Sequence, residues 1–121
     1  MKKSILIMLI IIIAIVSVGF VSHNSCMPPS FPSSFYGTVK GLKVGENVNV
    51  WINGAKVMTT DVFKYNNSFV YALNIPAKDI CNNIIGGTEG DKIIFKSHNK
   101  IIGSGIWHSG TNQNVNLVYR K

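Results

Sequence analysis

Few residues in this chain could carry acid–base or metal chemistry. The carboxylates are Glu46, Asp61, Asp79, Glu89 and Asp91, and the histidines are His23, His98 and His108. Glycosidase chemistry needs two carboxylates held at a fixed separation across a cleft. Glu89 and Asp91 instead alternate within a Gly-rich stretch and read as turn formers. Calcium loops space their oxygen ligands as an alternating Asp/Asn series, and Asp79, Glu89 and Asp91 belong to no such series. The histidines have no i, i+4 partner, and zinc-ligand spacing is absent. No strand–turn–helix nucleophile motif presents a serine. These residues predict a protein that is not an enzyme, with no catalytic residue, metal site or cofactor.

Binding chemistry is better represented. Val48, Val50 and Ile52 alternate with Asn47, Asn49, Trp51 and Asn53, so if the aliphatic side chains face a core, Trp51 faces out. An outward Trp among amides can stack on a sugar ring while its neighbours hydrogen-bond hydroxyls. Tyr36 and Tyr65 are candidates to join it. A cross-strand aromatic contact on the sheet surface is the other use such a Trp has. Trp107 reads as core or rim beneath the Ser109-Gly110 turn. Cys26 and Cys81, the only cysteines, are a candidate disulfide in an oxidising compartment, or else two idle thiols. A lipid on Cys26 is disfavoured, because His23 occupies the place where such signals carry an aliphatic residue. Asn66-Asn67-Ser68 is the one Asn-x-Ser/Thr motif, in an expected turn, so Asn66 is the candidate glycosylation site.

The compartment follows from the N-terminus. Lys2 and Lys3 precede residues 5–21, of which 15 in 17 are apolar, a charged region followed by an apolar one. The lysines hold the start of the chain inside and place the remainder outside. Seventeen residues span about 26 Å as a helix, slightly less than a roughly 30 Å hydrocarbon core. The segment is therefore either a signal peptide, cleaved after Gly19, or a short membrane anchor. Export also disfavours nucleic acid as a partner. Beyond Lys2 and Lys3 the balance is 10 − 5 = +5. Such a surface serves solubility and edge-strand protection, or attracts acidic wall polymers and lipid headgroups. Lys92, Lys96 and Lys100 are expected to flank a hairpin over 93–102.

Three regions result: a signal peptide or anchor helix at 1–22, a proline- and serine-rich tether at 23–34, and one folded domain at 35–121. Pro28-Pro29-Ser30-Phe31-Pro32 favours an extended chain over a helix. Beyond it no window keeps a 3.6 period, whereas period-2 alternation recurs around 48–52, 69–75 and 115–119. Asn53-Gly54, Asn66-Asn67 and His98-Asn99 read as hairpin turns. The first strand is expected at 35–42, and one strand is expected to run from Lys56 to Phe63. A helical turn is expected only within 77–85. About seven short strands with turns every eight to twelve residues predict a single all-β, Greek-key β-sandwich behind an N-terminal hydrophobic helix. A closed barrel is the alternative.

One resemblance rests on Phe35-Tyr36-Gly37-Thr38-Val39, on Val48-x-Val50-x-Ile52-Asn53-Gly54, and on Phe69-x-Tyr71 leading to Ile75-Pro76-Ala77-Lys78-Asp79. Gly90-Asp91-Lys92-Ile93-Ile94-Phe95 and Trp107-His108-Ser109-Gly110 complete it. The whole resembles small β-sandwich domains of microbial, especially archaeal, cell-surface proteins, related to carboxypeptidase-regulatory-like and immunoglobulin-like sandwiches. It covers residues 35–119 and rests on turn glycines and core positions, so it implies a fold and carries over no catalytic residues. Cys81-Asn82-Asn83-Ile84-Ile85 departs from it as an unusually apolar loop.

The expected function is that of an exported cell-envelope protein, lying on the outer face of the cytoplasmic membrane or secreted, whose sandwich acts by structural or surface contact. Its expected partners are the membrane, through the N-terminal segment, and cell-wall polysaccharide or other envelope proteins. The alternative is a carbohydrate- or wall-polymer-binding module that uses Trp51 and the lysines.

Overall fold

The computed structural model describes residues 30–121. The expected helix at 1–22, Cys26 and most of the 23–34 tether lie outside those residues. Among the described residues the chain is all-β, with no helix, and forms nine strands. They are β1 (Ser33–Lys40), β2 (Asn47–Ile52), β3 (Ala55–Asp61), β4 (Phe63–Tyr65), β5 (Ser68–Ile75), β6 (Lys92–Ser97), β7 (Lys100–Ile106), β8 (Asn112–Asn114) and β9 (Leu117–Val118). One sheet has the order β4-β5-β1-β8, with β9 also on β1, and the other has the order β3-β2-β6-β7. The two sheets pack face to face.

Alternation of side chains builds the core. Val48, Val50 and Ile52 from β2, with Ile93 and Phe95 from β6, point inward against Phe35, Val39, Tyr71, Leu73 and Ile75 of the other sheet. The Phe95 ring meets both Phe35 and Tyr71 edge-on, each at 5.6 Å between centroids, a favoured aromatic geometry. The buried Tyr71 hydroxyl donates to the Val115 carbonyl at 2.6 Å, and burial raises its pKa. Gly103 and Gly105 face the core from β7, where an added Cβ would lie 2.5 Å from Leu117 and 2.9 Å from Phe35.

The expected hairpin turns are present. Asn53-Gly54, Asn66-Asn67 and His98-Asn99 each place two successive residues at positive φ. That conformation suits two-residue loops between right-twisted strands, and Asn and Gly tolerate it best.

Four expectations need correction. Ser33 and Ser34, read as the end of the tether, begin β1, where Ser33 is buried opposite Ile75. The single strand expected from Lys56 to Phe63 is broken at Val62. Its side chain is buried while its N–H and C=O bond Glu46 and Gly45, so the chain leaves β3 and enters the other sheet as β4. The final strand is likewise two, β8 and β9, both parallel to β1. Residues 77–85 hold a turn without a helix, closed by an Asp79–Ile84 bridge and followed by an Ala77–Gly87 bridge.

Candidate functional site

The outer face of the β4-β5-β1 sheet carries an aromatic-lined groove. Parity turns Tyr36 and Thr38 outward from β1, Val70 and Ala72 from β5, and Phe63 and Tyr65 from β4. The register sets Tyr36 opposite Ala72, and Val70 between Thr38 and Phe63. Ala72 is small, so a groove opens beside Tyr36 and runs toward β4. It encloses about 440 Å³, and Tyr36, Phe63 and Tyr65 stand around it at 47%, 43% and 64% exposure. One amide borders it, Asn114, beside Tyr36 on β8; Asn74, beyond Ala72 on β5, lines a neighbouring depression and accepts from the Ser34 hydroxyl. A face of this kind offers flat rings to apolar ligand surface and an amide group to hydroxyls.

Two of the three candidate aromatics, Tyr36 and Tyr65, therefore share one surface, and Trp51 does not join them. Trp51 projects outward as expected, but from β2, on the opposite side of the sandwich. It is half-buried there, opposite Lys56 and Ile94, with the Lys96 ammonium 4.6 Å from its ring centre. Lys92 and Lys96 belong to β6, an interior strand of this sheet, and point outward. They form a basic outer face with Lys56 and do not guard an edge. Of the three lysines expected to flank the hairpin, only Lys100 starts an edge strand.

Phe63 escaped the sequence reading. Its spacing of two from Tyr65, just before the Asn66-Asn67 turn, puts both rings on one face. Extending the preceding strand through Val62 hid that signal. Trp107 is core: it is buried against Gly87, and its indole N–H donates to the Ile75 carbonyl at 3.0 Å.

Asn66 sits in the exposed β4–β5 turn, next to Tyr65. Cys81 lies in the 77–85 loop and is not a free thiol; its candidate partner, Cys26, is outside the described residues. The Asp79 carboxylate accepts from the Asn82 side chain at 2.7 Å and from the backbone N–H groups of Cys81 and Asn82. These bonds, the Asn82 side chain first, hold its pKa below the ordinary value.

The remaining polar groups pair locally. His98 lies 3.1 Å from Glu46, and His108 lies 3.1 Å from Glu89. The backbone N–H of Lys43 and then the His98 ring lower the Glu46 pKa. Buried Ser33 meets the backbone N–H of His108 and not its ring, so Ser33, His108 and Glu89 do not form a proton relay. Among the described residues no three His, Cys, Asp or Glu side chains gather as metal ligands. Compared with known protein families, curated proteins and solved structures, the chain matches none.

Proposed function

We propose that this is an exported, non-enzymatic cell-envelope protein. In this reading its Greek-key β-sandwich is a surface-binding module, and residues 5–21 hold it at the outer face of the membrane. We further propose that it binds wall polysaccharide in the groove of Tyr36, Phe63 and Tyr65. The observation that carries this reading is the clustering of three exposed rings beside a small-residue floor, with the Asn114 amide at one side. Exposed apolar groups scattered singly need no explanation, but a contiguous aromatic patch marks a contact surface. Sugar rings match it, because their C–H faces stack on aromatic rings while a hydroxyl reaches the Asn114 amide or the tyrosine hydroxyls.

The test is retention of the protein on purified, uncharged wall polysaccharide. Wild type should bind, Tyr36→Ala and Tyr65→Ala should each weaken binding about tenfold, roughly 1.4 kcal/mol, and Trp51→Ala should not. Unchanged binding in the Tyr36→Ala/Tyr65→Ala double variant, or none by wild type, overturns the assignment. The basic face of Lys56, Lys92 and Lys96 supports a second reading, attraction to anionic polymers. Binding of that kind weakens steeply with added salt, which stacking on neutral sugar does not.

A further inference from the structure

At one end of the sandwich β1 begins and β5 finishes, with Ser33 opposite Ile75. At the same end β2 finishes opposite the start of β6, with Ile52 beside Ile93. The 77–85 loop leaves β5 here, and the described chain enters here from the N-terminal side. In that loop Ile80 and Ile85 are 80% and 65% exposed, and Lys78 beside it is also exposed. The loop is preformed, because the Asp79 carboxylate and the Asp79–Ile84 bridge fix its turn. It is not packed flat, since an open cleft of about 780 Å³ separates it from the Asn53 turn and Val57.

We infer that Ile80 and Ile85 form a bilayer-contacting surface, seated in the interfacial layer of the leaflet from which the chain emerges. The inference rests on the proposal that residues 5–21 anchor the protein. Eight residues, 22–29, separate that apolar segment from Ser30. Fully extended, they reach roughly 30 Å, so this end of the sandwich is the end held near lipid. Cys81 narrows the geometry further. It is not free, and the other cysteine, Cys26, stands five positions beyond Val21. A bond between the two sets their Cα atoms about 6 Å apart and holds Ile80 beside the emerging chain. Exposed isoleucines next to a lysine suit this layer, where apolar side chains enter the acyl boundary and lysine meets anionic headgroups.

The experiment uses the full chain with Trp51→Phe, leaving only buried Trp107, in vesicles of phosphatidylcholine and phosphatidylglycerol. Into this background goes either Ile85→Trp or, toward the far end of the sandwich on β7, Ile101→Trp. In the Ile85→Trp variant the added emission should be quenched by lipid carrying a spin label at the fifth acyl carbon. It should also be at least threefold less accessible to acrylamide than the added emission of Ile101→Trp. If the protein floats with the vesicles but the two variants behave alike, the inference is overturned and the anchor stands. Shielding of the indole at position 85 from both quenchers also overturns it, because protein then covers the loop. Failure to float overturns the anchor and the inference together.

Discussion

The Lys96 ammonium lies 4.6 Å above the ring centre of Trp51. Lys96 is on β6 and Trp51 on β2, in diagonal register, since Lys96 pairs with Asn49. The lysine covers one face of the half-buried ring. A cation over an indole at a partly exposed site contributes about 0.5–1 kcal/mol. Trp51→Ala removes this contact together with the buried part of the ring, so it should destabilise the domain by about 1–2 kcal/mol, below the roughly 3–5 kcal/mol lost when a core aromatic is truncated. Urea melts measure the difference directly, and a loss in the core range would place Trp51 in the core.

Val50 and Asn49 are neighbours in sequence and face opposite ways. Val50 is fully buried opposite Phe95 and Met58, whereas Asn49 accepts from the Thr59 hydroxyl at 2.8 Å on the outer face. Val50→Asp buries an unpaired carboxylate at a cost of several kcal/mol, much of the roughly 5–15 kcal/mol a domain has. It should leave the chain unfolded by circular dichroism. Asn49→Asp keeps the acceptor and gains Lys96 as a neighbour, so its melting temperature should stay within a few degrees of wild type.

Much of this contrast was legible in the residues themselves. Alternation at 48–52 and the pairs Asn53-Gly54, Asn66-Asn67 and His98-Asn99 are local signals, and local backbone geometry realises them. The crossing at Val62 was not legible, because it depends on backbone partners at Gly45 and Glu46. Nor was the gathering of Tyr36 with Phe63 and Tyr65. That requires β5 to lie between β1 and β4, and no sequence period encodes which strands become neighbours. The position of Lys96 over Trp51 depends on a long-range β2–β6 pairing of the same kind.

Gly87 is a close-approach position. A Cβ there would lie 2.3 Å from Trp107 Cδ1, and Trp107 is buried and bonded to the Ile75 carbonyl. Gly87→Ala must push the indole aside, an overpacking cost of about 1–3 kcal/mol, with loss of its hydrogen bond in addition. In a Trp51→Phe background the remaining Trp107 emission should shift to the red. Gly54→Ala meets no atom within 4 Å at φ +78°. It should carry only the left-handed backbone cost of roughly 1–2 kcal/mol and leave that emission unchanged.

The 77–85 loop should loosen in acid through Asp79. Hydrogen bonds from the Asn82 side chain, and then from the backbone N–H groups of Asn82 and Cys81, lower its pKa. A carboxyl group whose pKa is lower in the folded state than in the unfolded one stabilises fully above its unfolded value, about 3.9 for Asp. That contribution is lost as pH falls through the folded value. The loop should therefore stay intact at neutral pH and open below the ordinary carboxylate range. The Asn82 side-chain amide resonance reports this event in an NMR titration. Removing the largest cause with Asn82→Ala should move the Asp79 midpoint upward, read from its own carboxyl carbon. An unmoved midpoint in Asn82→Ala would show that the backbone donors alone hold the turn.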